Sequence, residues 1–275
     1  MAPASATLNT LVTALRARSL DRTLTTALPA IDPLDPASVA PTGLSVLDCR
    51  LGGGLPRGQL SECVGPRSSG RVSLLLAMVA AATSRGELAA VIDVLDMFDP
   101  ESAAAAGIDL HRLLWIRGHV VMNPGMCRDM NQRALEQAIR ALTLVLQAGN
   151  FGLVAFDAGE APSDALRRLP FTTWLRLQRM VEGRQTVCVL IGPEPMARSS
   201  AGLTVKLGIR NSESGLNLQS GLNSEIGAPN SQLPVPDSFL GPLFHGLEME
   251  ARIIRARARH RDAGVVGFSS RAPHV

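Results

Sequence analysis

The stretch that most limits what this chain can be is Gly65-Pro66-Arg67-Ser68-Ser69-Gly70-Arg71-Val72. Its two glycines have the spacing of a phosphate-binding loop of the G-x-x-x-x-G-K-[ST] type. A strand-like run, Gln59 to Val64, leads in, and a helical run from Ser73 leads out, which is the context such a loop needs. Two positions depart from the pattern. Arg71 stands where a lysine would reach the β/γ-phosphates, and Val72 stands where a Ser/Thr hydroxyl would hold Mg²⁺. The backbone plan of a nucleotide cradle is therefore present without its metal ligand.

Apolar runs and helical periods alternate on both sides of this loop. Strands are predicted at 59–64, 88–93, 113–116, 153–157 and 186–191. Helices are predicted at 71–85, 100–106, 129–148 and 164–182, the last starting at a Ser163 cap. Leu135, Ala138, Ile139, Leu142, Val145 and Leu146 form the apolar face of the third. Apolar strands alternating with helices indicate an α/β fold with a mainly parallel sheet covered on both faces. After residue 192 the pattern changes. Leu203–Arg210 and Leu247–Arg259 alternate and read as a late antiparallel hairpin closing one side of the sheet.

The flanks read differently. Leu8, Leu11, Val12 and Leu15 make one apolar stripe within an N-terminal docking helix assigned to 1–28, with Thr7 as a candidate cap. Arginines in that segment also suit a transit peptide, but an amphipathic helix explains it as well. Four prolines mark 29–42 as a linker. The main domain is assigned to 43–261, with 211–242 as a disordered loop rich in Asn, Ser, Gly and Pro, and 262–275 as a flexible tail.

Composition narrows the function classes. Of 275 residues 46% are hydrophobic, ample for a core, and no stretch is long and apolar enough to span a bilayer. A formal charge of +3 is mildly basic, and Lys206 is the one lysine, a bias that a GC-rich genome produces. Aromatics at 3% argue against a base-stacking platform. Cys49, Cys63, Cys127 and Cys188 lack C-x-x-C spacing, and Cys63 and Cys188 lie in apolar strands. They suit buried thiols in a reducing, cytoplasmic setting. The five histidines are scattered, so no metal site and no Ser/His/Asp set is expected.

The ordered set Pro41-Thr42-Gly43-Leu44-Ser45-Val46-Leu47-Asp48, Gly52 to Leu60, Gly65 to Gly70, Val91-Ile92-Asp93, Phe98-Asp99-Pro100, Ala106 to Leu110 and Leu113-Leu114 closely resembles the RecA recombinase core. The resemblance covers roughly 41–210 and implies a RecA-like fold. It also implies a catalytic Glu after the second core strand, where this chain places Leu95, with Asp96 one position off. Asp157 matches the Walker B carboxylate. Catalysis of phosphoryl transfer rests on positioning and on charge neutralisation by metal and lysine. With lysine, metal hydroxyl and general base all altered, the expectation is an inactive ATPase with no catalytic residue.

Gly65, Ser68, Ser69, Gly70, Arg71, Val72 and Asp157 form the vestigial nucleotide site. It reads either as a surviving phosphate cradle, since Arg71 and the loop amides still favour anions, or as an inherited tight turn. No cofactor is expected, and ATP binding is left open. Asp157 alone makes a poor Mg²⁺ site. Asp93, Asp96 and Asp99 read as turn and cap residues around Pro100.

The loops that bind DNA in the recombinases are shorter here. The second reduces to Gly192–Gly202, and Arg198 is its residual contact. Arg255, Arg257, Arg259 and Arg261 fall on one face of a regular strand, beside Arg252 and His260. That row suits phosphates or acidic partners, or a charged edge that discourages strand addition.

The shortened loops, Ala197 to Leu203 and Leu247 to Arg257 are similar to the ImuA accessory proteins of translesion synthesis. That likeness implies a non-catalytic adaptor in SOS mutagenesis. Its partners would be an inactive Y-family polymerase-like protein and a specialised DNA polymerase. DNA contact and homo-oligomerisation through the N-terminal helix are further expectations. The alternatives are a DNA-dependent ATPase paralogous to RecA and a division inhibitor of the SulA type.

Overall fold

The structure, a computed structural model, describes residues 36–119, 127–209, 246–256 and 265–271. Ten strands run in chain order: β1 Val39–Ala40, β2 Leu55–Pro56, β3 Leu60–Val64, β4 Leu88–Asp93, β5 Leu113–Arg117, β6 Phe151–Asp157, β7 Val187–Gly192, β8 Leu203–Ile209, β9 Gly246–Ala256 and β10 Val265–Arg271. Eight of them build one sheet in the order β10-β9-β8-β3-β7-β6-β4-β5. From β8 to β5 every pairing is parallel, while β9 and β10 add on antiparallel. This is the mainly parallel, RecA-like α/β architecture the sequence predicts, with the late antiparallel strands at one end.

Two cores form because the side-chain period of a strand is two. In β4, Ala90 and Ile92 face one core while Ala89 and Val91 face the other. β6 and β7 divide in the same way. The first core is closed by the helices Arg128–Ala148, Ser163–Arg168 and Phe171–Val181, and the second by Ser45–Leu51, Arg71–Ser84 and Pro100–Ala105. Cys63 and Cys188 are buried on opposite faces, and burial pushes both thiols up to about 12. No disulfide joins any of the four cysteines. No helix among the described residues is long and apolar enough to cross a membrane.

Three expectations need correction. The helix predicted over 164–182 is two helices, Ser163–Arg168 and Phe171–Val181. Pro170 separates them, because its ring disfavours helical geometry at Leu169, which is extended at φ −62 and ψ 131. Ser163 is not the cap; it is the first residue of its helix, behind Pro162 at the cap position. The described part of the 29–42 linker is packed, not loose. Val39 and Ala40 are buried, and β1 pairs with β2.

The 262–275 tail contains β10, paired along its length with β9. Val266 is buried there and Phe268 packs on the second core, so the alternating apolar residues decide the matter over the chain-end position. The N-terminal stripe (Leu8, Leu11, Val12, Leu15), the 211–242 loop and Arg257, Arg259 and Arg261 lie outside the described residues.

Candidate functional site

The carboxyl ends of β3, β6 and β7 meet at the predicted loop. Open α/β sheets bind ligands in this position. Gly65 N–H donates to the Gly192 carbonyl at 3.2 Å, and Ala158 N–H to Ile191 at 2.9 Å, so the strand ends are stitched together. Ser69 N–H closes a turn onto Pro66. Gly70 caps the helix Arg71–Ser84 at φ 87, which favours glycine. The first ladder bond runs from Leu74 N–H to Gly70, leaving the amides of Gly70 to Ser73 ahead of it. Such amides attract anions. Ser68 is exposed in the left-handed region at φ 61. Ser69 is fully buried, and its Oγ has no hydrogen-bond partner among the described residues. Val72 is 61% exposed at the mouth and brings no oxygen.

Arg71 does not extend into an open cradle. Its side chain crosses to the turn after β6, where Nη1 donates to the Gly159 carbonyl at 2.8 Å and Nη2 reaches Glu160 at 3.5 Å. Arg67 pairs with the same carboxylate at 3.0 Å. Burial lowers the Arg71 pKa, against the pull of Glu160 and Asp157. Burial raises that of Asp157 to about 6, although the Gly159 N–H bond and Arg71 oppose the shift. The cleft above these groups is lined by Val72, Leu76, Met97, Phe98 and Asp99 as well, with a volume of about 160 Å³. Small-molecule sites typically enclose about 300–1,000 Å³.

The three acidic residues at and just past the end of β4 are each taken by local structure. Asp93 accepts from Met97 N–H at 3.0 Å and Phe98 N–H at 2.7 Å. Asp96, at φ 60, forms a two-pronged pair with Arg117. Arg117 holds the Asp96 carboxyl below the usual range. Asp99 caps the helix Pro100–Ala105 through the amides of Glu101 and Ser102. Leu95 is buried in the first core. Asp96 thus points to the β5 edge, away from the loop's cleft. No group of three or more His, Cys, Asp or Glu among the described residues could hold a metal ion.

The second candidate surface lies past β7. Glu62, fully buried in β3, accepts from Met196 N–H at 2.8 Å, Ala197 N–H at 2.7 Å and Thr204 Oγ1 at 3.0 Å. Those bonds fix the turn that presents Arg198, exposed at φ 51, whose carbonyl accepts from Arg255 Nη1. The sequence thus names two residues, Arg198 and Arg255, that the structure brings together.

The shared face is different from the one expected. The β8–β9 register slips between Thr204 and Val205, so Ile254 is an extra residue in β9. Thr204 pairs with Arg255 and Lys206 with Arg252, which places both arginines and Lys206 on the Glu62 side of the sheet. A regular strand would have turned Arg255 to the side of Ile253. Sequence reasoning missed Glu160, Arg67 and Glu62 as parts of these sites. No spacing announces them, because each acts on a partner distant along the chain.

Residues 32–157 match the family described as RecA N-terminal domain. This stretch, a little under half of the chain, is similar to that family. It is 39% identical over 128 residues to the RecA protein of Clavibacter michiganensis subsp. michiganensis, covering 46% of this chain and 32% of that protein. The RecA protein of Mycobacteroides abscessus is 40% identical over 124 residues, covering 45% and 32%. The chain therefore spans about a third of the length of the curated relatives it matches. The RecA-like stretch contains the whole loop and ends on Asp157, whereas Glu160, Arg198 and Arg255 lie beyond it.

Proposed function

We propose that this chain is a RecA-like accessory protein that works by binding partners and not by hydrolysing ATP. The observation that carries this reading is the placement of Arg71, whose guanidinium is committed to Gly159 and Glu160 while Val72 offers no metal ligand. Phosphoryl transfer draws its rate from charge neutralisation at the γ-phosphate, and the groups at this loop neutralise one another. Leu95 in the core and Asp96 on Arg117 support the same reading, since neither can activate water at the loop.

The setting we assign is SOS-induced translesion synthesis, with an inactive Y-family polymerase-like protein and a specialised DNA polymerase as partners. This rests on the similarity of the shortened loops and late strands to the ImuA proteins. Arg198, Arg252, Arg255 and Lys206 supply a basic face for DNA or an acidic partner.

The test is ATP titration and turnover on the pure chain, with and without Mg²⁺ and single-stranded DNA, beside Arg71→Ala, followed by capture of the polymerase-like protein. The expected result is no turnover and specific capture. Mg²⁺-dependent turnover abolished by Arg71→Ala would instead make the chain an ATPase. Capture of a tubulin-like division protein alone would favour the division-inhibitor alternative.

A further inference from the structure

We propose that Glu160 is the resident anion of the phosphate-type loop, a carboxylate held in cis where the loop would otherwise take a phosphate group. The inference concerns who occupies the loop; it rests on the same Arg71 contacts that carry the adaptor reading and deepens that reading.

Four observations carry it. The Glu160 carboxylate meets both guanidiniums of the loop, Oε2 at 3.0 Å from Arg67 and Oε1 at 3.5 Å from Arg71. Arg71 is also tied to the neighbouring Gly159 carbonyl, so its fork grips the peptide and the carboxylate of one turn. A lysine, with one point charge, cannot make that planar double contact. The Arg71 side chain is only 6% exposed while that of Glu160 is 28% exposed, so the carboxylate sits over the arginine at the cleft rim. Finally, Ser69 Oγ, buried and without a partner, lies where a Cβ on Gly65 would meet it, on the inner side of the loop. The cradle retains polar groups, yet its positive charges are already matched.

An incoming phosphate must displace a carboxylate that is part of the same chain. A tethered group acts at an effective concentration in the millimolar range or above. Asp157 and Asp93 line the same cleft and add negative charge behind Arg71. Loss of the metal hydroxyl predicts weak Mg²⁺-nucleotide binding; the Glu160 contact further predicts weak binding of phosphates without any metal. On this view replacing one carboxylate opens the site.

The probe is inorganic pyrophosphate, titrated calorimetrically without divalent ions against the full chain, Glu160→Gln, Glu160→Ala and Glu160→Gln/Arg71→Ala. The wild type is expected to bind more weakly than about 1 mM, and Glu160→Gln at least about tenfold more tightly. The double variant is expected to lose that gain. Equal affinity of wild type and Glu160→Gln, whether both bind or neither does, overturns the proposal. So does a gain that persists in the double variant, because the ligand then sits elsewhere. Glu160→Ala provides the same comparison should the glutamine variant not fold. A wild type that binds pyrophosphate below about 0.1 mM in an Arg71-dependent way overturns it without any Glu160 variant. No partner enters this measurement: an unchanged affinity in Glu160→Gln removes Glu160 from the loop, whereas the adaptor reading fails separately, on ATP turnover or on the absence of partner capture.

Discussion

Asp157 ends β6 partly buried, with its carboxylate between the Gly159 amide and Arg71. Its folded pKa of about 6 lies above the ordinary carboxylate value, so the folded chain holds a proton that the unfolded chain releases. Where the native state binds more protons, stability falls as pH rises. This residue therefore makes the protein more stable near pH 5 than at pH 7.5, until carboxylates held low by arginines, such as Glu87, begin to protonate. Asp157→Asn keeps the acceptor for Gly159 N–H and removes the charge. We expect it to raise stability at pH 7.5 by about 1–3 kcal/mol and to flatten the dependence between pH 5 and 7.5, read from urea melts across that range. A variant less stable at pH 7.5 would mean that pairing with Arg71 outweighs burial.

The elements near the loop explain why some of the site was legible and some was not. Loop, Walker B position and parallel strands are local signals, written in glycine spacing and apolar runs such as Val187 to Ile191. Pro170 was equally visible, but helical periodicity on both sides of it masked the break. Glu160 and Met249 carry no local signal, because their meaning comes from what they touch. β9 lays the Met249 thioether against Gly70, where any Cβ would collide with the sulfur. Gly70→Ala meets both that clash and a backbone at φ 87. It is expected to cost about 2–4 kcal/mol, and Met249→Ala in the same chain to restore about 1 kcal/mol, read as a double-mutant cycle. Full additivity in denaturant melts would separate β9 from the loop energetically.

At the scale of the molecule, the sheet runs from β5 at one edge to β10 at the other, and β10 covers what would otherwise be a β9 edge. An uncovered strand edge is a template for association. A chain ending at residue 264 is therefore expected to lose about 2–4 kcal/mol and to self-associate, measured by thermal melts and light scattering. A truncated chain as stable and monomeric as the full one would refute the structural role of β10. The same arrangement sets a timetable for synthesis. The loop at 65–72 leaves the ribosome before β9, the strand that rests on it. Domains form as chains emerge, and contacts between distant segments form late. A nascent chain thus carries its nucleotide-type loop without the Met249 cover until β9 emerges, and it is during that interval that phosphates and chaperones have their freest access to it.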